Sequence, residues 1–311
     1  MNHAPDLTFK GRTLVITGAG RGVGRGYASA FAERGAQVVV NDVDAEAGRA
    51  VVEEIATAGG YALAADGDAA DPETARSIVA QAVGRFGSLD GVIINASINA
   101  KRKPFPDLSD DDLQAMLSVN VLGPWRLLQA AWPHLAASGR GRVLLTTSQA
   151  ALYGMPLLTE YALAKGALLG LTRALAHEGA RLGVRVNAIA PAAATRMTEE
   201  TVADPYALSL LRALQPPDLV APLAVVLMSD DCPATGEIFL SGGAHAARAF
   251  IAETQGVTLP PAEYTAENLL ARWDEVRAED GYRVPRDVSE TGDLAQKAEI
   301  FQRLTELGLI K

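Results

Sequence analysis

The chain has 311 residues, 49% of them apolar and 21% charged, which is enough to bury a sizeable core. Its net charge of −9, with basic residues scattered along it, argues against a nucleic-acid partner, which needs a basic stripe. A single cysteine, Cys232, excludes an internal disulfide and a cysteine cluster, and four widely separated histidines (His3, His134, His177, His245) give no metal-binding spacing.

Residues 1–12 lack the apolar stretch of a secretory leader. No apolar run approaches a membrane span, and the last residues, Leu309-Ile310-Lys311, are not a peroxisomal address. The expectation is a cytoplasmic protein with no membrane partner.

Apolar, β-rich runs then alternate with helical patterns. Thr13–Thr17 reads as a buried strand and Arg25–Arg34 as the helix after it. Gln37–Val40 precedes a helix from about Ala45 to Ala58, and Tyr61–Ala65 precedes Pro72–Phe86. Val92–Asn95 is followed, after a loop, by a long helix from about Asp110 to Ala137. Arg142–Thr147 leads to helix Glu160–Arg181. Val184–Ile189 is a sixth strand, Leu219–Met228 a helix, and Glu237–Leu240 a short seventh strand. Uninterrupted apolar strands alternating with helices predict an α/β fold: a Rossmann-like, doubly wound, seven-stranded parallel sheet with helices on both faces. Residues 1–244 make this dinucleotide-binding catalytic domain. Residues 245–311 form a helical extension, packed on the same domain or a neighbouring subunit.

The first strand runs into Thr17-Gly18-Ala19-Gly20-Arg21-Gly22-Val23-Gly24 and then a helix. Glycines let backbone approach a pyrophosphate closely, and the helix N-terminus adds free N–H groups. Asp42 follows the second strand, where a carboxylate accepts the adenosine ribose hydroxyls and repels a 2′-phosphate. Arg21 points the other way, since a guanidinium in the loop can pair with that phosphate. Asp42 is the more direct determinant, and the expected cofactor is NAD. Tyr161 and Lys165 share a helix face, Ser148 ends the fifth strand, Asn95 the fourth, and Asn120 lies on the long helix. The strand ends meet at the carboxyl edge of the sheet, where such folds bind ligands.

These motifs in this order resemble the short-chain dehydrogenase/reductase family over residues 10 to 244: TGxxxGxG, Asn120, Ser148 and Tyr161-Ala162-Leu163-Ala164-Lys165. Within it, Val38-Val39-Val40-Asn41-Asp42, Leu152-Tyr153-Gly154, Ala190-Pro191 with Thr195-Arg196-Met197-Thr198, and Gly236-Glu237-Ile238-Phe239 are similar to the (3R)-hydroxyacyl-CoA dehydrogenase part of peroxisomal multifunctional enzyme type 2. The resemblance implies an NAD-dependent oxidoreductase interconverting a secondary alcohol and a ketone. Tyr161 would be the general acid/base, with its pKa lowered by Lys165 and by the positive nicotinamide. Ser148 would hold the substrate oxygen, and Asn120 would complete a proton relay through a water. The cofactor would contact Gly18, Arg21, Gly22, Val23, Gly24 and Asp42, and also Asp68, Ala69, Asn95, Ala96, Tyr161, Lys165, Pro191 and Thr195.

The chain departs from the family at Ser97 and Ala192, where glycine is usual, and at Leu157-Leu158, where the multifunctional-enzyme-like proteins carry Gly-Gln; these departures bear on substrate choice. Gln149, Tyr153, Met155, Leu157, Leu158 and Met197 are the candidate substrate residues, with Leu208 beside them. They suit a bulky apolar alcohol: a 3-hydroxyacyl thioester or a hydroxysteroid-like molecule. Lys101-Arg102-Lys103 can meet the phosphates of a CoA ester or simply form a solvated loop. A non-catalytic NAD(H) sensor, or a lyase or epimerase holding NAD tightly, would use the same fold. Excess apolar residues on the long helix and on Leu163–Leu175 imply a homodimer or homotetramer. In the extension, Ala246–Ala252 reads as an edge segment. Thr265 reads as the cap of a helix to about Ala278 with the stripe Leu269, Leu270, Trp273, and Asp293 as the cap of a second helix to about Leu307.

Overall fold

Strand Thr13–Thr17 (β1) is buried at every position, so both faces of the sheet are covered. In the computed structural model, which describes residues 7–194 and 204–292 together with 302, 304 and 305, its neighbours complete one sheet. These are Gln37–Asp42 (β2), Tyr61–Asp66 (β3), Gly91–Ile94 (β4), Arg142–Thr146 (β5), Arg185–Pro191 (β6), Ile238–Gly242 (β7) and His245–Ala249 (β8). Their order is β3-β2-β1-β4-β5-β6-β7-β8. All pairs are parallel except β7 with β8. The sheet thus has eight strands, not seven: after Gly242 the chain doubles back through Gly243, at φ +55°, and Ala244, at φ +60°. The edge segment expected from about Ala246 is this antiparallel strand.

Successive side chains of each strand enter opposite cores. Leu14, Ile16, Val38 and Val40 pack with Tyr27 and Phe31 of helix Gly22–Ala32 (α1) on one face. Val15, Val39 and Val92 pack with Ile78 of helix Pro72–Phe86 (α3) and Leu127 and Leu135 of helix Gly123–Ala137 (α5) on the other. Helix Ala45–Thr57 (α2) is capped by Asp44, whose side chain accepts the Ala47 N–H. The sheet order reverses between β1 and β4, which opens a crevice at their carboxyl ends.

The predicted long helix is interrupted. Helix Asp110–Leu117 (α4), which Ser109 starts with a capping box, passes through a π-helical segment, Ser118–Leu122, into α5. The short helix Gln149–Tyr153 (α6) follows β5, and Thr159–Gly179 (α7) follows that. At the amino end of the sheet, away from the crevice, Arg12 and Arg142 are 2% and 4% exposed. Their guanidiniums reach the carbonyls of Met228 (2.8 Å) and Ser229 (3.2 Å) and share Asp230. Burial holds Arg142 down to about 10.

The expectation that no apolar run approaches a membrane span is too strong. Among the described residues, Pro205–Met228 has the length and hydropathy of one. Its helix Pro205–Leu214 ends before Pro216 and Pro217, and its second half, Ala221–Met228, packs in the core against α1.

The chain divides into two compact units at Ala249/Phe250. In the second unit Thr265 caps a helix as expected, but the helix stops at Ala271 and a second runs over Trp273–Arg277. The expected apolar stripe is not a buried one: Leu270 and Trp273 are exposed. Phe250 stacks on Tyr282 and Glu253 pairs with Arg283 inside this unit. The predicted helix from Asp293 lies outside the described residues except for Gln302, Leu304 and Thr305, which are helical.

Candidate active site

The glycine loop is built so that only glycine fits. Gly18 and Gly22 hold φ of +60° and +54°, in the left-handed region. A Cβ on Gly24 would lie 2.1 Å from the Gly18 carbonyl oxygen, and one on Gly18 2.8 Å from Ala96 Cα. Thr17 Oγ accepts the N–H groups of Asn95 (3.0 Å) and Ala96 (3.1 Å), and Asn95 Nδ2 donates to Gly18 O (3.0 Å). These bonds fasten the loop after β4 to the glycine loop across the crevice. Arg21 precedes α1 without a side-chain cap on that helix, and Val23 turns into the core. A cradle whose Cβ positions are filled by neighbouring backbone fits a pyrophosphate at the N-terminus of α1.

Asp42 stands at the end of β2 beside this cradle. Its carboxylate accepts the Gly20 N–H (2.8 Å) and the Asp44 N–H (3.0 Å). Arg21, the residue that argued for a 2′-phosphate, is paired with Asp44 at 2.5 Å. The Ala47 N–H, and then Arg21, hold Asp44 below the usual carboxylate range. A cavity of about 390 Å³ opens beside this pair, lined by Gly20, Arg21, Arg25, Asp44 and Glu54 among others. Just past β3, the neighbour of β2, Asp68 accepts the Ala70 N–H (2.8 Å). Asp68 and Ala69 line a small hollow with Thr17, Ala96, Val119 and Gly123. Pro191 ends β6; Thr195 and Met197 lie outside the described residues.

Tyr161 and Lys165 lie one turn apart on α7. Lys165 is 2% exposed; its Nζ donates to Thr146 O (2.8 Å), and its own carbonyl accepts from Thr147 Oγ (2.8 Å). These two hydrogen bonds to Thr146 and Thr147 at the end of β5 seat α7 beside Ser148. Ser148 caps α6 through the Ala150 N–H (3.1 Å). Lys165 Nζ sits 5.8 Å from the centre of the Tyr161 ring. Burial lowers Lys165 to about 8. Burial also raises Tyr161, and the nearby Ser148 hydroxyl opposes it. In the protein by itself, therefore, burial holds Tyr161 above its ordinary value, and it is Ser148 rather than Lys165 that opposes this.

Asn120 is 1% exposed in the π segment. Its Oδ1 accepts the Ile98 N–H (3.1 Å) and its Nδ2 faces Met116 Sδ (2.8 Å). Both ends of the amide are engaged within the protein, which ties the loop after β4 to the π segment. Of the substrate candidates, Gln149, Tyr153, Met155 and Leu157 are exposed beside α6. Leu157 holds φ +65°. Leu158, expected in the substrate wall, is buried. Its carbonyl accepts the Ala162 N–H as α7 begins, which turns the side chain into the packing. Sequence reasoning missed Glu160, 2% exposed, whose Oε1 accepts the Lys101 N–H (2.8 Å). An acid in the first turn of a helix reads as a solvated one, and no sequence signal marks it as buried. Lys103 of the basic loop is paired with Asp112 (2.7 Å), which that bond holds down to about 2. Among the described residues no group of side chains is arranged to hold a metal.

A family model described as short chain dehydrogenase matches residues 12–205. The chain is a short-chain dehydrogenase. This dehydrogenase is 37% identical to the peroxisomal hydratase-dehydrogenase-epimerase of Neurospora crassa over 284 residues, 88% of this chain and 31% of that protein. It is 38% identical to the peroxisomal multifunctional enzyme type 2 of Mus musculus over 248 residues, 77% of this chain and 32% of that protein. It thus spans about a third of the length of these two relatives. A solved short chain dehydrogenase from Mycobacterium avium shares its fold with a TM-score of 0.73 at 31% identity, over 86% of this chain and 95% of that one. The similarity to multifunctional enzyme type 2 read from the sequence is borne out. The enzyme is an oxidoreductase of a family that works with nicotinamide dinucleotides.

Proposed function

We propose that this dehydrogenase interconverts a secondary alcohol and a ketone with NAD, and that Tyr161 is the general acid/base. One observation carries the reading: α7 presents Tyr161 and Lys165 together at the end of β5, which Ser148 follows closely in the chain. The glycine cradle, Asp42, Asp68, Asn95 and Pro191 would hold the dinucleotide, which supplies the hydride acceptor or donor when bound. In oxidation Ser148 holds the substrate oxygen, and Tyr161 takes the hydroxyl proton as the carbinol C–H bond gives up its hydride. Lys165, held at Thr146 O, keeps a positive charge beside the phenol below about pH 8. Reduction runs the same proton transfer backwards.

NAD is favoured over NADP because the Asp42 carboxylate beside the glycine loop would repel a 2′-phosphate and Arg21 is already paired. Similarity to multifunctional enzymes, together with the apolar residues Met155 and Leu157 at the rim, supports a bulky apolar substrate of the 3-hydroxyacyl thioester or hydroxysteroid-like class. Exposed Leu122, Trp125 and Leu163 support a homodimer or homotetramer through these helices.

A panel of steroid, acyl, aryl and polyol alcohols with NAD and with NADP, followed by absorbance of the reduced nicotinamide, tests the reading. Tyr161→Phe should cut turnover by roughly 10²–10⁴-fold and leave NADH binding within a few-fold. Near-full turnover in that variant refutes the assignment.

A further inference from the structure

Past Ala96, the loop that leaves β4 is held at Ile98, Lys101 and Lys103. The Ile98 N–H is held by Asn120, the Lys101 N–H by Glu160 (2.8 Å), and Lys103 Nζ by Asp112 (2.7 Å). The bond to Glu160 is the unusual one. Glu160 is 2% exposed, and among the described residues its Oε2 has no hydrogen-bond partner. Burying a carboxylate with one oxygen idle is unfavourable, and an acid serving only the helix N-terminus would do so from the surface. Arg102, next to the held residue, sits at φ +53°, a conformation that a non-glycine residue keeps only under constraint. The loop therefore bridges two elements of the candidate site, the π segment with Asn120 and the first turn of α7 with Tyr161.

We propose that Glu160 is a positioning residue, whose buried carboxylate pins Lys101 and so holds the loop Ile98–Lys103 in the shape that the substrate meets. The consequence for substrate affinity rests on the alcohol-oxidising reading above. The pinning itself does not, because it acts on the backbone at Lys101.

The test compares Glu160→Ala with Glu160→Gln, which keeps an amide oxygen within reach of the Lys101 N–H. Trypsin supplies a readout independent of catalysis. Lys101 and Arg102 are exposed, so the Lys101–Arg102 and Arg102–Lys103 bonds report on whether the loop is held. In Glu160→Ala, cleavage there should quicken and substrate KM should rise, each about tenfold, as expected for loss of one charge-assisted hydrogen bond. The change in kcat should be smaller, and NADH should bind as in the wild type. Glu160→Gln should restore slow cleavage and low KM. If Glu160→Ala does not fold, Glu160→Asp, one methylene too short to reach Lys101, takes its place.

Wild-type cleavage at these two bonds in the shortened variant overturns the proposal, as does faster cleavage with unchanged KM. Equal damage in the Gln variant also overturns it, since the hydrogen bond to Lys101 would then not be what matters. Should no alcohol be oxidised at all, the functional reading falls, while the cleavage and NADH arms still decide whether Glu160 pins the loop.

Discussion

Replacing Gly24 by alanine tests the cofactor cradle most directly. The new Cβ would sit 2.1 Å from Gly18 O, where real Cβ atoms keep at least 3.0 Å, so the two backbones must part by about 0.9 Å. The obstacle is main chain, not a side chain that can swing away. Asn95 Nδ2, which would lie 2.6 Å from that Cβ, is bonded to the same carbonyl at 3.0 Å, and the bond cannot survive the retreat. Overpacking of this kind is worth about 1–3 kcal/mol and the lost bond about 1 kcal/mol. Together about 2–4 kcal/mol would be divided between folding and cofactor binding. The expected result is a Tm lower by roughly 5–10 °C in scanning fluorimetry together with NADH affinity weakened at least tenfold by fluorescence titration. Gly84→Ala is the matched control. It adds a Cβ within α3 that meets nothing within 4 Å, and should raise stability by about 0.5–1 kcal/mol. If Gly24→Ala binds NADH as tightly as the wild type, the cradle is not the pyrophosphate site.

Three further outcomes are expected. The wild type should prefer NAD over NADP by at least about tenfold in kcat/KM. Asp42→Ala should narrow that preference. Asp44→Asn, which still caps α2 but releases Arg21, should narrow it further by about two- to fivefold, the worth of an exposed ion pair. Equal efficiency of the wild type with both cofactors refutes this. Lys165 offers a pH signature. Its pKa is lowered to about 8 when folded, so between pH 8 and its ordinary 10.5 the unfolded chain binds a proton that the folded one does not, and stability rises with pH. The unfolding free energy of the wild type minus that of Lys165→Met should therefore grow by up to about 3 kcal/mol from pH 7 to pH 10; a flat difference contradicts the burial argument. Light scattering at micromolar concentration should give at least a dimer, and charge introduced by Trp125→Glu with Leu163→Glu should lower the mass. A wild-type monomer would refute the assembly.

Most of the sheet was legible because its strands are covered on both faces. A run such as Leu14-Val15-Ile16 has no polar alternation to confuse it, and glycine marks its end. The eighth strand was only glimpsed, because Ala246, Ala247 and Ala249 carry little β preference and are recruited by pairing with β7. Lys165 and Asn120 were found by spacing and order, but their environments were not. That Asn120 sits in a π segment with both amide ends engaged depends on backbone hydrogen bonds that no residue pattern announces. Glu160, Arg12 and Arg142 escaped for the same reason. Charged side chains at element ends read as solvated, and only the assembled neighbours reveal that they are enclosed.

The π segment has a consequence for how such a site can arise. A π turn accommodates an additional residue in the path of an α-helix. Every residue after such an addition is rotated by about 100° relative to an unbroken helix. From Asp110 to Ala137 the chain therefore behaves as two helices whose inward faces are set separately, α4 by Met116 and α5 by Leu127, Leu128 and Leu135. Asn120 occupies the junction, where the ladder is already irregular and a polar group can turn inward without displacing a packing residue from either face. A single inserted codon is sufficient to create such a junction in a straight helix. A chemically useful amide can thereby enter a finished hydrophobic core in one step, with the packing on either side of it left in phase.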